Sequence, residues 1–185
     1  DLNFLDPMIP ILIAKDPTTE DIKKSSVIRH HLRSFMGCFS LTLRKNIDYE
    51  GFKVWKNNSN TEKTQEIADI IAAYITNHYD FITTAPPSKN RDINHYCCFE
   101  LCQTISKMVS IPFIVSFAKR SVKDNHGRFS SMRSELPVLL PRWGYSGKSI
   151  LFIDDFITSG MTAKTCYDVL RSYGNHIDGL IYCKW

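Results

Sequence analysis

The sequence predicts an α/β protein: a central parallel sheet flanked by helices, built from residues 61–185 behind an N-terminal segment of residues 1–60. Three observations carry this expectation. From residue 80 onward, strand-like and helix-like segments alternate, which pairs strands in parallel through helical crossovers. Residues 149–154 include an unbroken apolar run, as in strands covered on both faces. The chain has 185 residues, 43% hydrophobic and 23% charged, which suits a single domain with its own core and excludes a disordered chain.

The elements follow in order. Residues 9–14 form a short apolar run with strand character. Asp16-Pro17-Thr18-Thr19 opens a helix predicted to run to about Phe35, with Thr18 or Thr19 as its cap. Residues 38–44 and 51–56 alternate well enough to be strands around a turn at Asn46-Ile47-Asp48. Thr61-Glu62-Lys63-Thr64 starts a helix whose apolar stripe is Ile67, Ile70, Ile71, Tyr74 and Ile75. Residues 81–85 are a strand stopped by Pro86-Pro87, and residues 94–109 a helix. Residues 111–117 are a second strand, and 121–141 a polar, basic, irregular stretch. Residues 149–154 are a third strand, 162–173 a helix closed at Gly174, and 177–183 a fourth strand. Ligands of such sheets sit beyond the carboxyl ends of the strands. That directs attention to residues 86–91, 119–133 and 154–162.

Charge and cysteine content narrow the function. The net charge of +4 suits an anionic ligand and is too weak to imply nucleic acid. No apolar run approaches the roughly 20 residues that span a bilayer. Asp1-Leu2-Asn3-Phe4 has neither the basic nor the apolar part of a secretory signal, so the expected location is the cytoplasm. The chain also lacks an initiator methionine, as a trimmed chain would. The six cysteines are Cys38, Cys97, Cys98, Cys102, Cys166 and Cys183, with no paired CxxC set for a zinc ribbon. Cys98 and Cys102 can share a helix face with His95. The expectation for all six is small buried thiols in a reducing compartment. Asn57-Asn58-Ser59 is a chance sequon in a chain with no signal. Gly147-Lys148-Ser149 ends like a phosphate-binding loop, but Arg142 stands where that loop needs glycine, and the strand follows the triplet. His30 and His31 are adjacent and do not face one another on a helix.

The most informative segment is Ile150-Leu151-Phe152-Ile153-Asp154-Asp155-Phe156-Ile157-Thr158-Ser159-Gly160-Met161-Thr162. Four apolar residues run into two acids, a hydroxyl-glycine turn follows, and a helix begins. Carboxylates at a strand end accept hydrogen bonds from vicinal sugar hydroxyls or reach magnesium through water. The turn offers successive backbone N–H groups at a helix N-terminus, an anion cradle. A diol and a phosphate held a few ångströms apart describe a ribose 5-phosphate.

This segment resembles the phosphoribosyl-pyrophosphate (PRPP) motif of the type I phosphoribosyltransferases. The resemblance implies that fold, with residues 1–60 as a hood-like accessory segment over a core of residues 61–185. It implies that Asp154 and Asp155 bind the ribose hydroxyls, and Mg2+ through ribose or water. It implies that Thr158, Ser159, Gly160, Met161 and Thr162 bind the 5-phosphate. Ala85-Pro86-Pro87-Ser88-Lys89-Asn90-Arg91 stands where the family has a diphosphate loop, so Ser88, Lys89 and Arg91 are candidate diphosphate ligands, as are Lys119 and Arg120. Residues 119–128 stand where the family has a mobile catalytic loop. They are similar to that of the orotate phosphoribosyltransferases, and also to ComF-like proteins. Lys123, His126 and Arg128 are the catalytic candidates, neutralising the departing diphosphate.

The implied reaction moves ribose 5-phosphate from PRPP to a nitrogenous base or amine, releasing diphosphate, within nucleotide metabolism. The alternative is a ComF-like PRPP- or nucleotide-binding module that regulates a partner, with little or no catalysis. Nucleic-acid attachment by the basic loop ranks last. A homodimer or larger assembly fits the family. Phe35, Phe39, Phe52 and Trp55 are candidates to stack on a base, against the commoner role of aromatics in a core. The family's sheet has one further strand, so either the N-terminal part supplies it or the chain is a fragment.

Overall fold

The computed structural model describes residues 28–29, 38–43, 46–87, 96–121, 135–157 and 161–184. The elements are β1 (Ile28–Arg29), β2 (Cys38–Leu43), α1 (Tyr49–Asn57), α2 (Thr61–Ala72), β3 (Phe81–Thr83), α3 (Cys97–Val109), β4 (Phe117–Ser121), β5 (Glu135–Leu139), β6 (Ser149–Ile157), α4 (Met161–Ser172) and β7 (His176–Lys184). The α/β architecture is the predicted one. Among the described residues, five strands form one sheet in the order β1-β2-β7-β6-β3. β2, β7, β6 and β3 run parallel, and β1 closes the edge antiparallel to β2. β4 and β5 make a separate antiparallel pair. The N-terminal part therefore supplies a parallel strand, β2, to the main sheet.

Four local expectations are corrected. Residues 51–56 lie in a helix, not a strand. Phe52 and Trp55, three apart, are the buried residues of α1, while Val54 is 64% exposed, so the i,i+3 spacing overrides a short alternation. The Asp48 carboxylate caps this helix, accepting from the Gly51 N–H at 3.0 Å. A Cβ at position 51 would run into that carboxylate, so any larger residue there must displace the cap. The helix predicted up to Phe35 is broken by β1, where Ile28 pairs with Ser40 and Arg29 with Phe39. The ladder beside β2 suits the β-branched Ile28 better than a helix does. The rest of that helix and the strand at residues 9–14 lie outside the described residues.

Of residues 111–117, expected to form a strand, 111–116 lie outside any strand, with Phe113 beside β3. Phe113 makes one isolated bridge to Ile82, and Ile82 donates to the Pro112 carbonyl at 2.7 Å. Pro112 has no N–H for a regular ladder, and extended pairing begins only at Phe117. Conversely, β5 arises within a stretch expected to be irregular. Its Pro137 lies opposite Lys119 in a two-stranded pair, where a missing donor is tolerated.

The sheet is covered on both faces. On one face Leu151, Ile153 and Leu180 pack with Phe52, Trp55, Ile67, Ile71, Leu101 and Ile105 of α1, α2 and α3. On the other, Ile150, Phe152, Ile177 and Ile181 pack with Ala163, Cys166 and Leu170 of α4. Each buried Leu, Ile or Phe among these contributes roughly 1.5–3 kcal/mol by leaving water. The stripe of α2 is narrower than predicted, since Ile70 is 38% exposed. Polar contacts fix how α1 sits. The Trp55 indole N–H donates to Thr64 Oγ1 at 2.9 Å within the core. Ser59 Oγ donates to Glu100 of α3. α1 is thereby held over the sheet, with its last turn at the carboxyl end of β6. Among the described residues no helix is long and apolar enough to cross a membrane.

Candidate functional site

Ile150, Leu151, Phe152 and Ile153 are fully buried, and the strand then carries two carboxylates into the same packed environment. Asp154 is 8% exposed and Asp155 3%. β6 continues to Ile157, with Phe156 opposite Cys183 and Ile157 opposite Lys184. The acids are thus inside β6 and not at its last residue, because β7 is long enough to keep pairing. β3 stops at Thr83, opposite Phe152, so on that side the acids project past the end of the neighbouring strand. Each carboxylate also serves the next amide: Asp155 N–H donates to Asp154 Oδ1 at 2.9 Å, and Phe156 N–H to Asp155 Oδ1 at 2.7 Å.

Two helices meet the acids. Lys56, in the last turn of α1, places Nζ 3.2 Å from Asp155 Oδ2 and 5.5 Å from the centre of the Phe156 ring. α3 arrives by its N-terminus. Cys97 Sγ lies 3.8 Å from Asp155 Oδ2 and Cys98 Sγ 3.7 Å from Asp154 Oδ1. Tyr96, the residue before this helix, gives it no side-chain cap; its hydroxyl donates to the Ala85 carbonyl at 3.2 Å. The positive end of the α3 dipole therefore lies beside the carboxylates.

The electrostatics follow from burial. Burial first, then the charge of Asp155, pushes the Asp154 carboxyl well above its usual range, with Lys56 opposing. For Lys56, burial works against the ammonium, but Asp155 and then Asp154 outweigh it, and its pKa is raised. Burial and nearby carboxylates also raise the Cys98 and Cys102 thiols and the Tyr96 phenol. Two adjacent acids with one lysine form an anionic site that favours a further positive charge or a group with several O–H donors.

Of the residues predicted from the sequence, the structure brings Asp154 and Asp155 together. Met161 opens α4, and Thr162, half-buried, follows it, so a helix N-terminus follows the acids as expected. Thr158, Ser159 and Gly160 lie outside the described residues, as do Ser88, Lys89, Arg91, Lys123, His126 and Arg128. Lys119 and Arg120 belong to β4 and are placed there by their backbone pairing alone. Phe52 and Trp55 are 2% and 0% exposed, so they are core residues and offer no surface for a base. Phe35 lies outside the described residues, and Phe39 is known only by its backbone pairing.

Sequence reasoning missed Lys56, Cys97 and Cys98. Lys56 follows the buried Trp55 at a helix end, a signal hidden by reading the segment as a strand. The cysteines lack any metal-type spacing because their third neighbour, Asp155, comes from another element.

The fold agrees with the one the motif implies. The structure is similar to an adenine phosphoribosyltransferase from Leishmania donovani, with a TM-score of 0.52 and 10% identity over 84% of this chain and 86% of that one. It is also similar to the adenine phosphoribosyltransferase of Leishmania tarentolae, with a TM-score of 0.49 and 11% identity over 78% and 91% of the two chains. Against a hypoxanthine phosphoribosyltransferase from Staphylococcus aureus the values are 0.43 and 16%, over 66% and 62%. No protein-family model matches the chain, and no curated protein matches it. The chain has the fold of the type I phosphoribosyltransferases.

Proposed function

We propose that the protein is a PRPP-dependent phosphoribosyltransferase, moving ribose 5-phosphate to a nitrogenous base or amine and releasing diphosphate. One observation carries this: a buried acid pair on a central-sheet strand of this fold, followed six residues after Asp155 by the N-terminus of α4. Asp154 and Asp155 accept hydrogen bonds from the ribose hydroxyls. Thr158, Ser159, Gly160, Met161 and Thr162 hold the 5-phosphate at the positive end of α4. Ser88, Lys89, Arg91, Lys119 and Arg120 bind the diphosphate, and Lys123, His126 and Arg128 stabilise its departure.

The acid pair fits a magnesium ion, since its donors are hard oxygens and Asp155 Oδ2 already faces the positive charge of Lys56. When bound, magnesium offsets charge on the leaving diphosphate. The bond from the anomeric carbon to the diphosphate oxygen breaks, and the acceptor nitrogen forms the new bond from the opposite face. Catalysis is then positional and electrostatic, and no protein nucleophile is needed. Lys56 must yield its place on Asp155, or share it, when the ribose binds.

The test is the thermal midpoint with and without PRPP and magnesium. At 100 times the dissociation constant, ligand linkage adds about 2.7 kcal/mol, or about 5–11 °C for a chain of this size. The Asp154→Asn/Asp155→Asn variant should show no shift; an equal shift in that variant would remove the assignment. Lys123→Ala should lower turnover more than affinity, and equal losses would deny it a catalytic role. One observation favours a second reading, a ComF-like binding module: the ribose-binding acids already have a protein partner in Lys56. A PRPP-induced shift with no diphosphate release across a panel of bases and amines would select that reading.

A further inference from the structure

We propose that Cys97, Cys98 and Asp155 form a binding site for a thiophilic divalent cation of the zinc class. The two sulfurs and one carboxylate oxygen all lie within 4.8 Å of one another, and all three residues are buried. Tetrahedral zinc, with bonds of about 2.3 Å to sulfur and about 2.0 Å to oxygen, sets S···O near about 3.5 Å and S···S near about 3.8 Å. Cys97 Sγ and Asp155 Oδ2 already stand 3.8 Å apart. Closing the set on an ion requires side-chain movements of at most about 1 Å by the same geometry. Asp154 Oδ1, 3.7 Å from Cys98 Sγ, offers a fourth donor.

The donor set decides the class of metal. Two thiolates with one carboxylate suit zinc or cadmium, whereas magnesium takes oxygen ligands and keeps its water. Buried structural thiols ordinarily pack among apolar atoms. Here both sulfurs abut carboxylate oxygens instead. On binding, the ion takes the place of two thiol protons, which leave to solvent. Two thiolates and the Asp155 carboxylate then exceed the ion's charge by one unit, and Asp154 bound as a carboxylate brings the excess to two. Lys56, beside Asp155, supplies one unit of compensating charge, and the positive end of α3 favours the remainder. The Lys56 side chain is 31% exposed.

The site itself stands independently of the proposed transferase activity. Its consequence rests on that activity: an ion held by Asp155 occupies a carboxylate that the ribose needs, so zinc and PRPP exclude each other.

The experiment uses the whole 185-residue chain with cobalt(II) as probe and zinc as competitor. The expected result is a sulfur-to-cobalt charge-transfer band that zinc abolishes, with two protons released per zinc in weakly buffered solution. Cys97→Ser/Cys98→Ser should lose the band and weaken zinc binding by more than about 100-fold, beyond what outer partners alone contribute. Cys102→Ser should keep both. Absence of the band in the native chain overturns the proposal without any variant, so a misfolded double variant cannot rescue it. Retention of the band in a folded double variant also overturns it. Cobalt binding with no response to PRPP would leave the metal site standing and remove the mutual exclusion, while the thermal shift with PRPP tests the transferase reading separately.

Discussion

Lys56→Met keeps the aliphatic stem over Phe156 and removes the ammonium that faces Asp155 at 3.2 Å. At that distance, with an effective dielectric constant of about 20, the attraction is about 5 kcal/mol. Solvent takes back part of it, because the lysine side chain is 31% exposed. Immobilising the lysine costs roughly 1–2 kcal/mol more. The expected loss of stability is about 1–3 kcal/mol, between the ranges for exposed and buried pairs. That corresponds to a fall of about 2–12 °C in the thermal midpoint. Urea unfolding of the native chain, Lys56→Met, Asp155→Asn and the double variant isolates the pairwise part. Additivity within about 0.5 kcal/mol would refute the reasoning, because it would mean that the two groups do not sense each other. The pH dependence has a fixed sign. The folded-state pKa of Lys56 is raised above 10.5, so its contribution is fully present at neutral pH and disappears only as pH rises through that folded value.

Other outcomes follow from the same site and its supports. Asp154→Asn should stabilise the fold at neutral pH while removing PRPP binding, since the amide keeps an oxygen acceptor for Asp155 N–H without a buried charge. Because the folded-state pKa of Asp154 is raised, the gain over the native chain should shrink as pH falls through that value toward 3.8; a gain that grows on acidification would be the wrong sign. Tyr79→Phe removes the hydroxyl that donates to Asp178 Oδ2 at 2.8 Å, where Asp178 is 1% exposed. It should cost about 1.5–3 kcal/mol in denaturant unfolding, and an unchanged midpoint would show that the carboxylate finds another donor. Gly51→Ala should destabilise through the Asp48 cap by about 0.5–2 kcal/mol, with Asp48→Ala/Gly51→Ala no worse than Asp48→Ala alone.

The core of the fold was legible because residues 80–185 carry period and punctuation together. Leu151 and Ile153 against Ile150 and Phe152 divide cleanly between two packed faces, and the two acids break that run where no core needs them. Residues 28–56 were harder to read. Phe52, Val54 and Lys56 alternate like a strand, and only the partners of Trp55, namely Thr64 and the sheet face beneath it, select the helix. The surroundings of the acids were unreadable for a related reason. Lys56, Cys97 and Cys98 are brought to Asp155 by α1 and α3, and no local spacing encodes a meeting of three elements.

Among the described residues β7, late in the sequence, lies inside the sheet and not at its edge. β7 lies between β2 and β6, pairing Cys38 with Gly179 on one side and Ser149 with His176 on the other. During synthesis β2 leaves the ribosome long before β7, the parallel neighbour it has among the described residues, so the edge that β7 covers stays open in the meantime. Such distant pairing slows folding and leaves an unpaired edge open to other chains. A nascent chain stalled before residue 176 would carry β2 and β6 with no strand to join them. Its two facing strand edges would then stay unsatisfied, open to pairing with other strands.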